Sequence, residues 1–156
     1  MTKPEFIYVT YIETTPDELW QALTDGDFTE RYWFDHRVAS DWSVGSDYRF
    51  TLTGEKRLEG KVLISDPPRK LAYTWNGCAE EFRRERTSRV TFDLEPRGKV
   101  VKLTLTHDNL DEGGVTLRGV AEGWPMVLAS LKSLLENGTI LGIPRPVRAA
   151  QEAVSA

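Results

Sequence analysis

Between about Val38 and His107, apolar residues recur at every second position; beyond the DNLDEGG stretch they recur every three to four. Few folds accept that order. In SDYRFTLTG, Tyr48, Phe50 and Leu52 share a face, and in KRLEGKVLIS so do Leu58, Gly60, Val62 and Ile64. Leu71, Tyr73 and Trp75 follow, then Val90, Phe92 and Leu94, then Val101, Leu103, Leu105 and His107. Clean alternation predicts an antiparallel sheet with one buried and one solvated face. Gly54, DPPR and PRG supply the turns. Downstream, Val120, Trp124, Val127, Leu128, Leu131, Leu134 and Leu135 form one helical stripe. The stretch EGWPMVLASLKSLLENG, Glu122–Gly138, therefore reads as a long amphipathic helix ending at Asn137-Gly138. Pro125 is expected to kink it or to mark its true start.

Upstream, Phe6 to Glu13 is rich in aromatic and β-branched residues and reads as a strand. In TPDELWQALTDG, Thr15 is placed to cap a helix, Pro16 suits its first position and Glu18 completes a capping box. Leu19, Trp20 and Leu23 form its apolar face, Gly26 is expected to end it, and DFTERYWF reads as a second short helix. The class is α+β: one strand, two short helices, about six antiparallel strands and one long helix. A twisted sheet of this length curls, and only the long helix is large enough to cover its concave face. The short helices would close one end. TILGIPRPVRAAQEAVSA reads as a tail with a short helix at its end.

A chain of 156 residues, 40% hydrophobic and 28% charged, fits one domain with a real core. Its formal net charge of −4 argues against nucleic acid and against attraction to an anionic membrane. Cys78 is the only cysteine, so no internal disulfide forms and a reducing compartment is the simpler reading. The N-terminal MTKPEFIYVTYIETT lacks the pattern of a signal peptide, and no stretch approaches the roughly 20 apolar residues of a membrane span. A cytoplasmic protein without membrane insertion is expected.

TTPDELWQALTD, ISDPPRKLAYTWN, SRVTFDLEPRGKVVKLTLTH and GWPMVLASLKSLLENG resemble the SRPBCC, or START-like, superfamily. More narrowly, they resemble its branch named after the activator of the ninety-kilodalton heat-shock chaperone's ATPase. The resemblance runs from residue 5 to about 138. It implies a helix-grip fold, like that of the birch-pollen allergen, over residues 1–138, with a tail at 139–156. It also implies an elongated cavity between sheet and helix, and it leaves open a homodimer with the tail as a contact. The family name does not carry the function, because only the C-terminal domain of the two-domain eukaryotic co-chaperone is similar.

His107 continues the Val101-Leu103-Leu105 face, so its imidazole is expected to point inward, at a position where the family often has histidine. It is read either as a polar anchor or general base, or as a histidine bonded to a neighbouring loop. His36, in YWFDHRV, reads as a surface loop residue. Two histidines and one cysteine without tight spacing give no metal site, no cofactor is implied, and no Ser-His-Asp arrangement is legible. Trp33, Phe34, Trp42, Tyr48, Phe50, Tyr73, Trp75, Phe92 and Trp124 fall on the expected inner surface or its entrance, with Leu103 and Leu128 beside them. Each of these is core material; together with His107 they are the candidate ligand-binding set. AEEFRRERTS reads as a solvated loop, Gly119 and Gly123 as no membrane motif, and DEGGVTLRG as no phosphate loop.

Three functions follow. A binding protein would hold a small apolar or aromatic molecule between sheet and helix. A cyclase- or hydrolase-like enzyme would use His107 as acid-base with Tyr48 or Tyr73 orienting a carbonyl; no second catalytic group stands at convincing spacing, so binding ranks above catalysis. An interaction module, with a chaperone or stress-response partner, would need an exposed patch.

Overall fold

The alternation becomes seven antiparallel strands wrapped across one helix. The computed structural model describes residues 4–144. β1 (Phe6–Ile12) leads into α1 (Pro16–Thr24) and α2 (Gly26–Tyr32). Six strands follow: β2 (Arg37–Ala39), β3 (Asp47–Leu52), β4 (Glu55–Asp66), β5 (Lys70–Gly77), β6 (Ser88–Arg97) and β7 (Val100–Asp108). A one-turn helix, α3 (Glu80–Arg83), interrupts β5 and β6, and α4 (Val115–Asn137) closes the order. In the sheet the strands run β1-β7-β6-β5-β4-β3-β2, so the first strand pairs with the last and Phe6 faces His107 across the ladder. This is the helix-grip arrangement.

The period-two faces explain the core. Val101, Leu103, Leu105 and His107 on β7 are all completely buried, as are Val90 and Phe92 on β6 and Leu71 on β5. Val120, Trp124, Val127, Leu128, Leu131 and Leu134 of α4 pack against them. Removing that apolar surface from water, at roughly 25 cal/mol per Å², is the main force holding helix to sheet. At the start of α1 the Thr15 hydroxyl accepts the Glu18 N–H at 3.2 Å, whereas the Glu18 carboxylate takes the Thr14 hydroxyl at 2.9 Å instead of closing a full capping box.

Several local expectations change. Gly26 opens α2 and does not end α1; a Cβ there would sit 2.6 Å from the Val38 carbonyl, so the glycine lets β2 approach. Ile64 leaves the inner face and is 37% exposed, because a register shift between Val62 and Ile64 breaks the alternation. α4 starts seven residues before Glu122, and Pro125 lies inside it. Its end is as expected, with Gly138 at φ 79° as the cap.

The early start of α4 has a tertiary cause. Gly114 caps nothing with a side chain; the Glu85 carboxylate accepts the N–H groups of Val115 at 2.8 Å and Thr116 at 3.0 Å. A carboxylate on the first amides of a helix also meets the positive end of its dipole. AEEFRRERTS is thus no mere solvated loop: it forms α3, carries the cap of α4 and, through Arg86 and Asp111 at 2.8 Å, ties the segment before β6 to the loop before that helix. The short helix expected near the end of the tail lies outside the described residues. No helix among the described residues is long and apolar enough to cross a membrane.

Candidate functional site

Six elements each deliver one ring or imidazole to the space beneath α4. Trp33 comes from the C-terminal cap of α2, Phe50 from β3, Trp75 from β5, Phe92 from β6, His107 from β7 and Trp124 from α4. Centroids lie 4.5 Å apart for Trp33 and Phe50, 5.1 Å for Trp33 and Trp124, and 5.3 Å for Trp75 and Trp124. Phe92 meets Trp124 edge-on at 5.9 Å. Tyr48 and Tyr73, 4.4 Å apart, extend the cluster toward β3, and Trp42 stacks on Tyr48 at 6.4 Å. These separations match the favourable range for aromatic pairs. Leu103 and Leu128 are buried in the same core, while Phe34 and Trp42 are half-buried at its margin. All the candidate ligand-binding residues therefore meet in one place, and the middle of that place is ring against ring.

His107 is completely buried and both ring nitrogens are engaged. The Trp124 indole donates to Nδ1 at 3.1 Å, and Nε2 lies 2.8 Å from the Ser88 hydroxyl. An indole nitrogen can only donate, so Nδ1 must be the acceptor. The proton of the neutral ring then sits on Nε2 and is given to Ser88 Oγ. Burial pushes the imidazole pKa down to about 3, against a smaller opposing pull from the Asp108 carboxylate. This is not the arrangement of a serine hydrolase, where Nε2 must accept the serine proton and Nδ1–H must face a carboxylate. His107 here is a neutral strut between β6 and α4. Ser88 escaped sequence reasoning, although a lone hydroxyl on the Val90-Phe92-Leu94 face was a usable signal.

His36 is a correction: it is completely buried, not a surface residue. Its Nδ1 lies 3.0 Å from the Trp33 carbonyl and 2.9 Å from that of Phe34, so its N–H braces the turn that presents Trp33. That turn is strained, since Phe34 (φ 45°) and Asp35 (φ 64°) are both left-handed, and Trp42 (φ 61°) is left-handed beside the same cluster. Tyr73 and Tyr48 have their phenol pKa raised by burial, so both stay protonated. Tyr48 gives its hydroxyl proton to the Thr74 carbonyl at 2.5 Å. The Trp33 indole nitrogen, 2% exposed as a residue, has no hydrogen-bond partner among the described residues.

Elsewhere, an open groove of about 1290 Å³ runs past Thr74, Arg89, Asp108 and Asn109 and reaches Ser88. Among the described residues no group of three or more His, Cys, Asp or Glu side chains could hold a metal ion.

The fold and sequence place the chain among known proteins. A protein from Mesorhizobium loti is 25% identical, with a TM-score of 0.74 over 85% of this chain and 96% of its own. CalU16 from Micromonospora echinospora is 27% identical, with a TM-score of 0.71 over 96% of this chain and 83% of its own. The Aha1 dimer from Colwellia psychrerythraea is 24% identical, with a TM-score of 0.72 over 86% of this chain and 98% of its own. No curated protein matches the chain. The family profile described as Activator of Hsp90 ATPase homolog 1-like protein matches residues 13–136, a span from the end of β1 almost to the end of α4. By that match the chain belongs to the Activator of Hsp90 ATPase homolog 1-like family.

Proposed function

We propose that this protein binds a small, flat, largely apolar molecule among the rings between its sheet and α4. The observation that carries the reading is the concentration of backbone strain at one margin of the aromatic cluster. Phe34, Asp35 and Trp42 are all held in the left-handed region, at a cost of about 1–3 kcal/mol each for non-glycine residues. Strain of this kind persists only where the surrounding structure over-determines it, and it clusters at functional sites; Thr53 and Asn109 are the other left-handed non-glycine residues among those described. Phe34 and Trp42 are also half-buried; the Trp42 indole donates to the Thr24 carbonyl at 3.0 Å and its backbone N–H to Ser40 Oγ at 3.0 Å. Turning these two side chains aside would expose Tyr48, Tyr73 and Trp33 to an incoming ring. Catalysis by His107 is the weaker reading, because neither ring nitrogen has a lone pair to spare for substrate.

The test is a titration with indane, a small flat hydrocarbon, followed by the indole N–H signals of the five tryptophans. Saturable movement of Trp33, Trp42 and Trp124 is expected. Non-saturating drift of all five signals would sink the proposal.

A second reading, a protein partner, has one observation in its favour. β1 is an edge strand, and Ile7, Val9 and Tyr11 on its outer face are 54%, 46% and 50% exposed. An apolar edge of this kind is a pairing surface unless something covers it. Lys132 and Glu136 of α4 bond Tyr11 O and Glu13 N, which covers only its far end. The Colwellia relative was solved as a dimer. Light scattering of the wild type and of Val9→Lys checks this reading: a dimer that the variant dissociates supports it, and a monomeric wild type removes self-association.

A further inference from the structure

We infer that the ligand carries a hydrogen-bond acceptor, a ketone or ring oxygen, which takes the indole N–H of Trp33; the inference rests on the binding function proposed above and names what that site selects. Four polar side chains around this one have acceptors for their protons. Trp124 gives its indole proton to His107, Trp42 to the Thr24 carbonyl, Tyr32 its hydroxyl proton to the Ala22 carbonyl at 2.8 Å, and Tyr48 to that of Thr74. Trp33 is as deeply buried as any of them, and its donor alone among these has no acceptor within the described residues.

Buried donors in folded proteins are nearly always satisfied, and each exception calls for a cause. Here no oxygen or nitrogen acceptor among the described residues reaches it. Trp33 is ringed by Phe50, Trp75 and Trp124, and the indoles among these are themselves donors. The turn that fixes Trp33 is also over-determined, by the left-handed pair Phe34-Asp35 and by the His36 bonds to the Trp33 and Phe34 carbonyls. A side chain held in place at the expense of strain, with an unmet donor inside an aromatic enclosure, is a recognition group for a molecule that brings the acceptor. A hydrocarbon entering between the same rings would leave the donor unmet, so discrimination against it follows.

The experiment compares 1-indanone with indane, which share a bicyclic frame and differ by one carbonyl. The wild type should bind 1-indanone about three- to tenfold more tightly, the range for one neutral hydrogen bond. The Trp33 indole proton should move downfield with 1-indanone and not with indane. Trp33→Phe keeps a ring and removes the donor; it should bind both probes equally. Equal wild-type affinity for the two, with the Trp33 proton unmoved, would overturn the inference and leave the binding function standing. That is the result if the N–H is already met by a ring face or a water. Failure of both probes to bind would remove the binding function as well. The wild-type comparison decides the matter even if Trp33→Phe does not fold.

Discussion

Trp124 donates its indole proton to His107 Nδ1 at 3.1 Å, and this bond sets the tautomer of a completely buried histidine. Through Ser88 the same imidazole reaches β6, so one neutral ring joins the helix to the sheet. Its consequences are measurable.

The first concerns acid. His107 titrates near 6.5 when unfolded and only near 3 when folded, so between those values the unfolded chain binds the proton and the native one does not. Stability therefore falls as pH drops through 6.5 and stops falling, for this group, below 3. The slope is at most about 1.4 kcal/mol per pH unit, or about 2 kcal/mol lost between pH 7 and pH 5. Urea unfolding at the two pH values, in the wild type and in His107→Gln, isolates the contribution. Parallel losses in both proteins would refute the assignment.

Trp124→Phe keeps an aromatic ring at the centre of the cluster and leaves Nδ1 without its donor. A loss of about 1–3 kcal/mol is expected from the unmet acceptor and the smaller ring. The nitrogen spectrum of the His107 ring should change from a single Nε2–H tautomer to a mixture. A spectrum identical to the wild type would contradict the tautomer.

Glu85→Ala removes the acceptor for the Val115 and Thr116 amides. The expected cost is about 1–2 kcal/mol, that of a lost helix cap. Hydrogen exchange should quicken in the first turns of α4 and remain unchanged after Val127. Gly114→Ala should act alike, since its new Cβ would fall 2.2 Å from Glu85 Oε2 and displace the carboxylate. Uniform acceleration along the whole helix would mean that Glu85 is not a local cap.

Gly60→Ala should be severe. The added Cβ would lie 2.3 Å from the Thr74 carbonyl oxygen and 2.6 Å from the Tyr48 ring, the two partners of one part-buried hydrogen bond. Backbone on one side and a packed ring on the other leave no cheap escape, so a loss of about 3 kcal/mol or more is expected. A thermal melt close to the wild type would show that β4 can retreat.

What was legible in the sequence was whatever depends on periodicity. Val101 to His107 announces its buried face, and Val120 to Leu135 its stripe, because core-facing positions must repeat with the geometry of the element. The meeting of Trp33, Tyr48, Trp75, Phe92 and Trp124 followed from the same patterns together with the family resemblance. Features that depend on residues far apart in sequence were hidden. Glu85 caps a helix 30 positions away, and nothing near Gly114 announces it. His36 is flanked by charged residues and reads as exposed, yet it folds inward to hold two carbonyls. Ile64 fits the alternation by count and leaves it through a bulge that periodicity cannot contain.

The remote cap gives α4 two ends of different kinds. Its stop is written locally at Gly138, whereas its beginning requires α3 and β6 already in position. A short helix without a nucleating end frays in water. Freed from the rest of the chain, the turns from Val115 to Glu122 should lose helix before those after Pro125. During folding, the leading turns should consolidate late, only after strand pairing has delivered the carboxylate they need.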